Sequence, residues 1–95
     1  NKRMGVNAGV PDYLIIIPEK ALLWVELKAP KGGKVKPEQR VWINDLNTIN
    51  NVEAVVCYGA DEAIAHVEAM QRILDKREAR RLFDTALAAK NHLTN

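Results

Sequence analysis

Ninety-five residues, 47% apolar and 27% charged, make one small globular domain near the lower limit for burying its own core. No apolar run approaches the roughly 20 residues of a membrane span and no signal-peptide pattern opens the chain. The single cysteine excludes an internal disulfide and suits a reducing cytoplasm. A net charge of +2 is too small to announce a nucleic-acid binder, but its distribution is uneven: residues 1–40 hold eight Lys/Arg against four Asp/Glu, and residues 41–95 six against eight.

Residues 1–11 (NKRMGVNAGVP) read as loop, with Gly5, Asn7, Gly9 and Pro11. Residues 12–17 make a short strand, and PEKA is a turn. Residues 22–29 alternate, placing Leu23, Val25 and Leu27 on one face and Trp24, Glu26 and Lys28 on the other. A loop rich in glycine and lysine follows, and Pro37 opens a helix whose apolar stripe is Val41, Trp42, Leu46 and Ile49. Asn50 and Asn51 break it, VEAVVCY (52–58) is a third strand that carries Cys57 into the core, and Asp61 and Glu62 begin a second helix. That helix repeats Ile64, Val67, Met70, Ile73 and Leu74, and the pattern continues through Leu82, Phe83 and Leu87, as one long helix or two shorter ones. Off its stripe, His66 is expected at the surface, and Trp42 is expected in the core.

The order is β-β-α-β-α with a helical tail, an α/β chain. The first two strands are joined by a turn too short for a crossover and must be antiparallel, whereas the helix before the third strand permits a parallel pair. The result is a mixed sheet flanked by helices, a single domain over 1–95 with its core at about 3–74 and a tail at 75–95.

Within the apolar strands stand charges that are costly to bury unpaired. Glu26 and Lys28 are two apart and project from one face. If the hairpin centres on Glu19, Asp12 falls opposite Glu26, with Cβ atoms roughly 4.5–5.5 Å apart. Two carboxylates so close repel unless a divalent cation lies between them, and oxygen ligands without His or Cys favour Mg²⁺ or Mn²⁺. The carbonyl of Leu27 adds a further donor, and Lys28 is placed to orient a water or offset charge on a phosphate. Gln39, in the first turn of the next helix, lies near enough to point an amide at the same place. Lys31, Lys34 and Lys36 beside the site suit phosphate contact, as do Lys2, Arg3 and Arg40.

Pro11-Asp12 followed by Glu26-Leu27-Lys28 resembles the PD-(D/E)xK nuclease superfamily. The wider context, GVPDYLIII, LLWVELKAPKGGKVKPEQRVWINDL and VEAVVCYGADEAIAHV, looks like its virus-type replication-repair nuclease (VRR-NUC) domain, over about residues 3–70. The resemblance implies a restriction-endonuclease-like fold, metal ligation by Asp12 and Glu26, catalysis by Lys28, and a supporting Gln39. It implies a Mg²⁺- or Mn²⁺-dependent DNA endonuclease for branched, Holliday-junction-like DNA in replication or repair, working in the cytoplasm of a bacterium or phage-infected cell. Stand-alone members act as homodimers, so a homodimer is expected here. Members commonly carry a further acidic residue on an N-terminal helix; nothing upstream of Asp12 is acidic, so that ligand is absent or lies on a preceding segment. The competing reading is a non-catalytic nucleic-acid-binding or assembly module, which has no need of Asp12, Glu26 and Lys28 together.

Overall fold

A computed structural model describes residues 8–94, with side chains to residue 92. Strand β1 (Tyr13–Ile17) turns through Pro18, Glu19 and Lys20 into β2 (Ala21–Lys28). The turn closes with Lys20 N–H donating to the Ile17 carbonyl at 3.0 Å. Pro18 presets the first corner, and Glu19 takes the left-handed conformation, φ +64°, that a second corner of this kind demands. Helix α1 (Pro37–Leu46) crosses over to β3 (Val52–Tyr58), and a 35-residue helix, α2 (Ala60–Thr94), completes the fold.

The sheet order is β1-β2-β3, with β1 antiparallel and β3 parallel to β2. The register Tyr13↔Val25 through Ile17↔Ala21 is the one that a hairpin centred on Glu19 requires. Alternation then sorts the strands. Leu23 and Val25 join Cys57 in a buried cluster under Ala63, Val67 and Met70 of α2. The opposite face carries Trp24, Glu26 and Lys28 and is covered by α1.

How α1 packs departs from the hydrophobic stripe. Val41 and Ile49 are exposed, Ile49 lies beyond the helix, and the buried residue is Ile43. Gln39, Ile43 and Asn47 follow one another at helical spacing and make the inward line. Asn47, the C-cap, clamps β3 by accepting from Ala54 N–H and donating to the Ala54 carbonyl, each at 2.9 Å. Trp42 is half-buried rather than core, its indole N–H donating to the Ala8 carbonyl at 2.8 Å. His66 is likewise half-buried, 3.0 Å from the Glu53 carboxylate, because α2 lies flat along β3 at that point.

Helix α2 is one uninterrupted element, and its second half leaves the sheet behind: Leu82, Phe83 and Leu87 are all exposed. An ion pair from the hairpin turn, Lys20 to Asp75 at 3.0 Å, marks where the helix departs. The molecule is consequently elongated, 63 × 31 × 18 Å. Among the described residues no helix is long and apolar enough to cross a membrane.

Candidate active site

Asp12, directly before β1, the end of β2 and the first turns of α1 and α2 all meet at one end of the sheet. There Glu26 is only 2% exposed, the one buried charged residue among those described. Its Oε2 accepts from Gln39 Nε2 at 2.9 Å and lies 3.2 Å from Lys28 Nζ. Its Oε1 is buried without any hydrogen-bond partner. A buried carboxylate oxygen left bare costs free energy, so its place here calls for an occupant that the fold itself does not supply.

Gln39 organises the rest. Its Oε1 accepts from Lys28 Nζ at 2.9 Å and from Lys36 N–H at 2.8 Å, so the amide that orients Glu26 also closes the helix N-terminus. Lys28 donates to Gln39 and faces Glu26 as an ion pair at 3.2 Å, which leaves ammonium protons free for a substrate group. Gly33 packs against this lysine, and a Cβ there would stand 2.8 Å from Lys28 Cβ.

Asp12 is brought to the same end of the sheet by the register that sets Tyr13 opposite Val25. Its Oδ2 accepts from Leu27 N–H at 2.9 Å, which leaves Oδ1 available. The backbone explains why. Leu22 N–H and the Lys28 carbonyl bond toward β3, so the odd-numbered residues of β2 direct their polar groups toward β1. The ladder position opposite Leu27 falls to Pro11, which has no N–H to give. Asp12 takes up the Leu27 N–H, and the Leu27 carbonyl has no ladder donor facing it.

The structure joins Glu26, Lys28 and Gln39 directly and holds Asp12 at the Leu27 N–H between Glu26 and Lys28. Lys31, Lys34, Lys36 and Arg40 are exposed around the same end, and Lys2 and Arg3 lie outside the described residues. Sequence reading missed the anchoring of the approach to Asp12. Gly9, at φ +85°, runs so close to α1 that a Cβ would stand 2.6 Å from the Glu38 carbonyl carbon. A glycine ahead of the Pro-Asp step was the available signal.

The donor set suits a hard cation: two carboxylates and a main-chain carbonyl, with the orphaned Glu26 oxygen among them. Among the described residues no group of three acidic, His or Cys side chains gathers to hold a metal ion. A cavity of about 370 Å³ elsewhere, walled by Ala21, Val52, Glu53, His66 and Met70, lies at the other end of the strands and touches none of this chemistry.

No curated protein and no solved structure matches the chain. The VRR-NUC domain matches residues 1–61, which include Asp12, Glu26, Lys28 and Gln39 and most of the described fold. By its sequence over that span the chain belongs to the VRR-NUC domain family, a family of nucleases.

Proposed function

We propose that this domain is a divalent-cation-dependent endonuclease that hydrolyses DNA phosphodiester bonds, acting on branched or otherwise structured DNA as a homodimer. The observation that carries the reading is Glu26: a buried carboxylate, half satisfied by Gln39 and Lys28, with its other oxygen bare at the end of the sheet where Asp12 holds the Leu27 N–H.

Asp12 Oδ1, Glu26 Oε1 and the Leu27 carbonyl would hold Mg²⁺ or Mn²⁺. When bound, such an ion polarises a phosphodiester and lowers the pKa of a coordinated water. The chain's own groups do the remaining work. Gln39 holds the Glu26 carboxylate in one orientation, so its bare oxygen would meet a cation without reorganisation. Lys28 is kept within reach by Gln39 and directs a free ammonium proton to the phosphate or the attacking water. The exposed Lys31, Lys34, Lys36 and Arg40 grip neighbouring phosphates, helped by the positive ends of two helices that open at this end.

The dimer is supported by α2. At about 100° per residue, Phe83 and Leu87 point to the side of the helix opposite Ala63, Val67 and Met70, and Leu82 lies about a quarter turn from that core line. This second apolar stripe cannot be a continuation of the core and suits a two-fold mate, which would present two sites to two strands.

Incubation with a four-way junction, a flap and a plain duplex, in Mg²⁺, Mn²⁺ or EDTA, tests activity and substrate together. Metal-dependent products from the branched substrates support the reading. Tight binding of all three without any product would leave the non-catalytic module in its place. Sedimentation equilibrium reads the dimer, which Leu82→Ser with Phe83→Ser is expected to dissociate.

A further inference from the structure

β3 pairs Tyr58 with Lys28 in parallel register, so the two side chains leave the sheet on the same face, the one that carries Glu26. Tyr58 ends β3 at the end of the sheet where the site lies, and it is 40% exposed, whereas Cys57 before it is buried on the opposite face. Its backbone is fixed on both sides. Tyr58 N–H donates to Glu62 Oε1 at 3.1 Å, and Gly59 N–H donates to the Lys28 carbonyl at 3.0 Å. Gly59, at φ +99°, lets the chain turn tightly there, close enough that a Cβ would stand 3.2 Å from Pro30 Cγ. The backbone that carries this aromatic ring is thus held beside that of the lysine, and the residue keeps much of its surface in solvent. The fully buried residues of this strand are Ala54 and Cys57.

We propose that Tyr58 is a stacking platform for an unpaired nucleobase next to the phosphodiester held over Glu26 and Lys28. This rests on the nuclease reading above and narrows its substrate. In a continuous duplex each base is covered on both faces by its neighbours. Only a nucleotide released from the stack, at a flap, a junction or a single strand, offers a face to the ring. Because every base has such a face, the contact selects DNA shape without selecting sequence.

The test measures binding of labelled single-strand flap and continuous-duplex DNA in EDTA, so that no strand is cut, for the unsubstituted chain, Tyr58→Phe and Tyr58→Leu. Tyr58→Leu is expected to weaken flap binding by at least about fivefold while leaving the slope of affinity against salt unchanged, since stacking releases no counterions. Continuous-duplex binding stays within about twofold, which also shows that the variant is folded, and Tyr58→Phe binds the flap like the unsubstituted chain. The proposal is overturned if leucine binds the flap as well as tyrosine, if flap and duplex weaken together, if phenylalanine loses as much as leucine, or if the flap is not bound at all. Cleavage in Mg²⁺ separates the two readings. A ring effect without any cleavage removes the catalytic reading alone, and cleavage without a ring effect removes this one alone.

Discussion

Gln39 Nε2 stands 2.9 Å from Glu26 Oε2, and the same amide's oxygen caps the helix on which Gln39 sits. One side chain therefore ties the start of α1 to the orientation of a buried carboxylate. Gln39→Ala is expected to lower stability by about 1–2 kcal/mol, through removal of the cap and of the hydrogen bond to Glu26. It should also slow cleavage by roughly 10- to 100-fold, the usual cost of removing the support of a metal ligand. Gln39→Glu is expected to be worse, because a second carboxylate would face Glu26. Urea midpoints and single-turnover rates measure both effects, and an alanine variant with native rates would show that the amide orients nothing.

The hairpin was legible because two apolar runs flank a short Pro-containing turn: a turn supposed to centre on Glu19 sets Asp12 against Glu26, and the pairs from Tyr13↔Val25 onward follow that count. The seating of α1 was not. Hydrophobic periodicity assigns Val41 and Ile49 inward, yet both are exposed, and the inward line is Gln39, Ile43 and Asn47. Two of those three are polar because they meet a buried carboxylate and a strand backbone, partners that exist only after the chain has folded. Tyr58 escaped for a related reason. Its position beside Lys28 depends on the parallel register of β2 with β3, and no local pattern encodes that register.

Glu26→Gln separates the role of the charge from that of the shape. The carboxylate is buried with one oxygen bare, so an uncharged amide of the same size removes a desolvation cost from the metal-free fold. The same change strips the largely buried Lys28 of the charge 3.2 Å from it, the larger cost, so stability in EDTA is expected to fall. The rise in Tm that Mn²⁺ gives the unsubstituted chain should vanish with the ligand, and cleavage with it. Thermal scans with and without Mn²⁺ check this, and a persisting Mn²⁺-induced rise would place the ion elsewhere.

Cys57 is held as a buried thiol. Burial raises its pKa above the ordinary 9.0, and the nearby Glu62 carboxylate adds to the rise. The folded thiol keeps its proton after the unfolded one has released it, so this group's contribution is constant below about pH 9 and declines as pH rises beyond it. At pH 8 the native protein should react with a disulfide reagent far more slowly than the urea-unfolded chain. Equal rates in the two states would contradict the packing of Cys57 against Leu23 and Val25.

Lys28→Ala should abolish cleavage while leaving DNA affinity nearly intact, since the lysine directs one proton to the reacting phosphate and the loop cations do the binding. The substitution also strips Glu26 of its nearest positive charge, 3.2 Å away with both side chains largely buried. Removal of one member of such a pair costs about 3–5 kcal/mol. Much of that stability should return on addition of Mn²⁺, which supplies the missing positive charge. Denaturation in EDTA and in Mn²⁺, run beside a filter-binding assay, reads both parts. Cleavage at a comparable rate in the variant would remove the mechanism proposed for the lysine.

Lys31, Lys34 and Lys36 are exposed on the loop that runs from Lys28 to the cap of α1, and Gly33 presses that loop against Lys28 itself. Phosphates gripped by these lysines would therefore arrive at the reacting end of the sheet. Each phosphate that no longer meets a lysine should lower the magnitude of the log-affinity against log-salt slope by about 0.9 on duplex DNA. Replacing all three with alanine is expected to reduce the slope by up to about 2.7 and to weaken binding at low salt most. Lys36→Ala keeps the backbone N–H that Gln39 accepts, so the cap and the Glu26 orientation survive and saturating DNA should restore the cleavage rate. A triple variant whose salt slope is unchanged would move the DNA path away from this loop, and one whose rate stays low at saturation would make the lysines part of the chemistry.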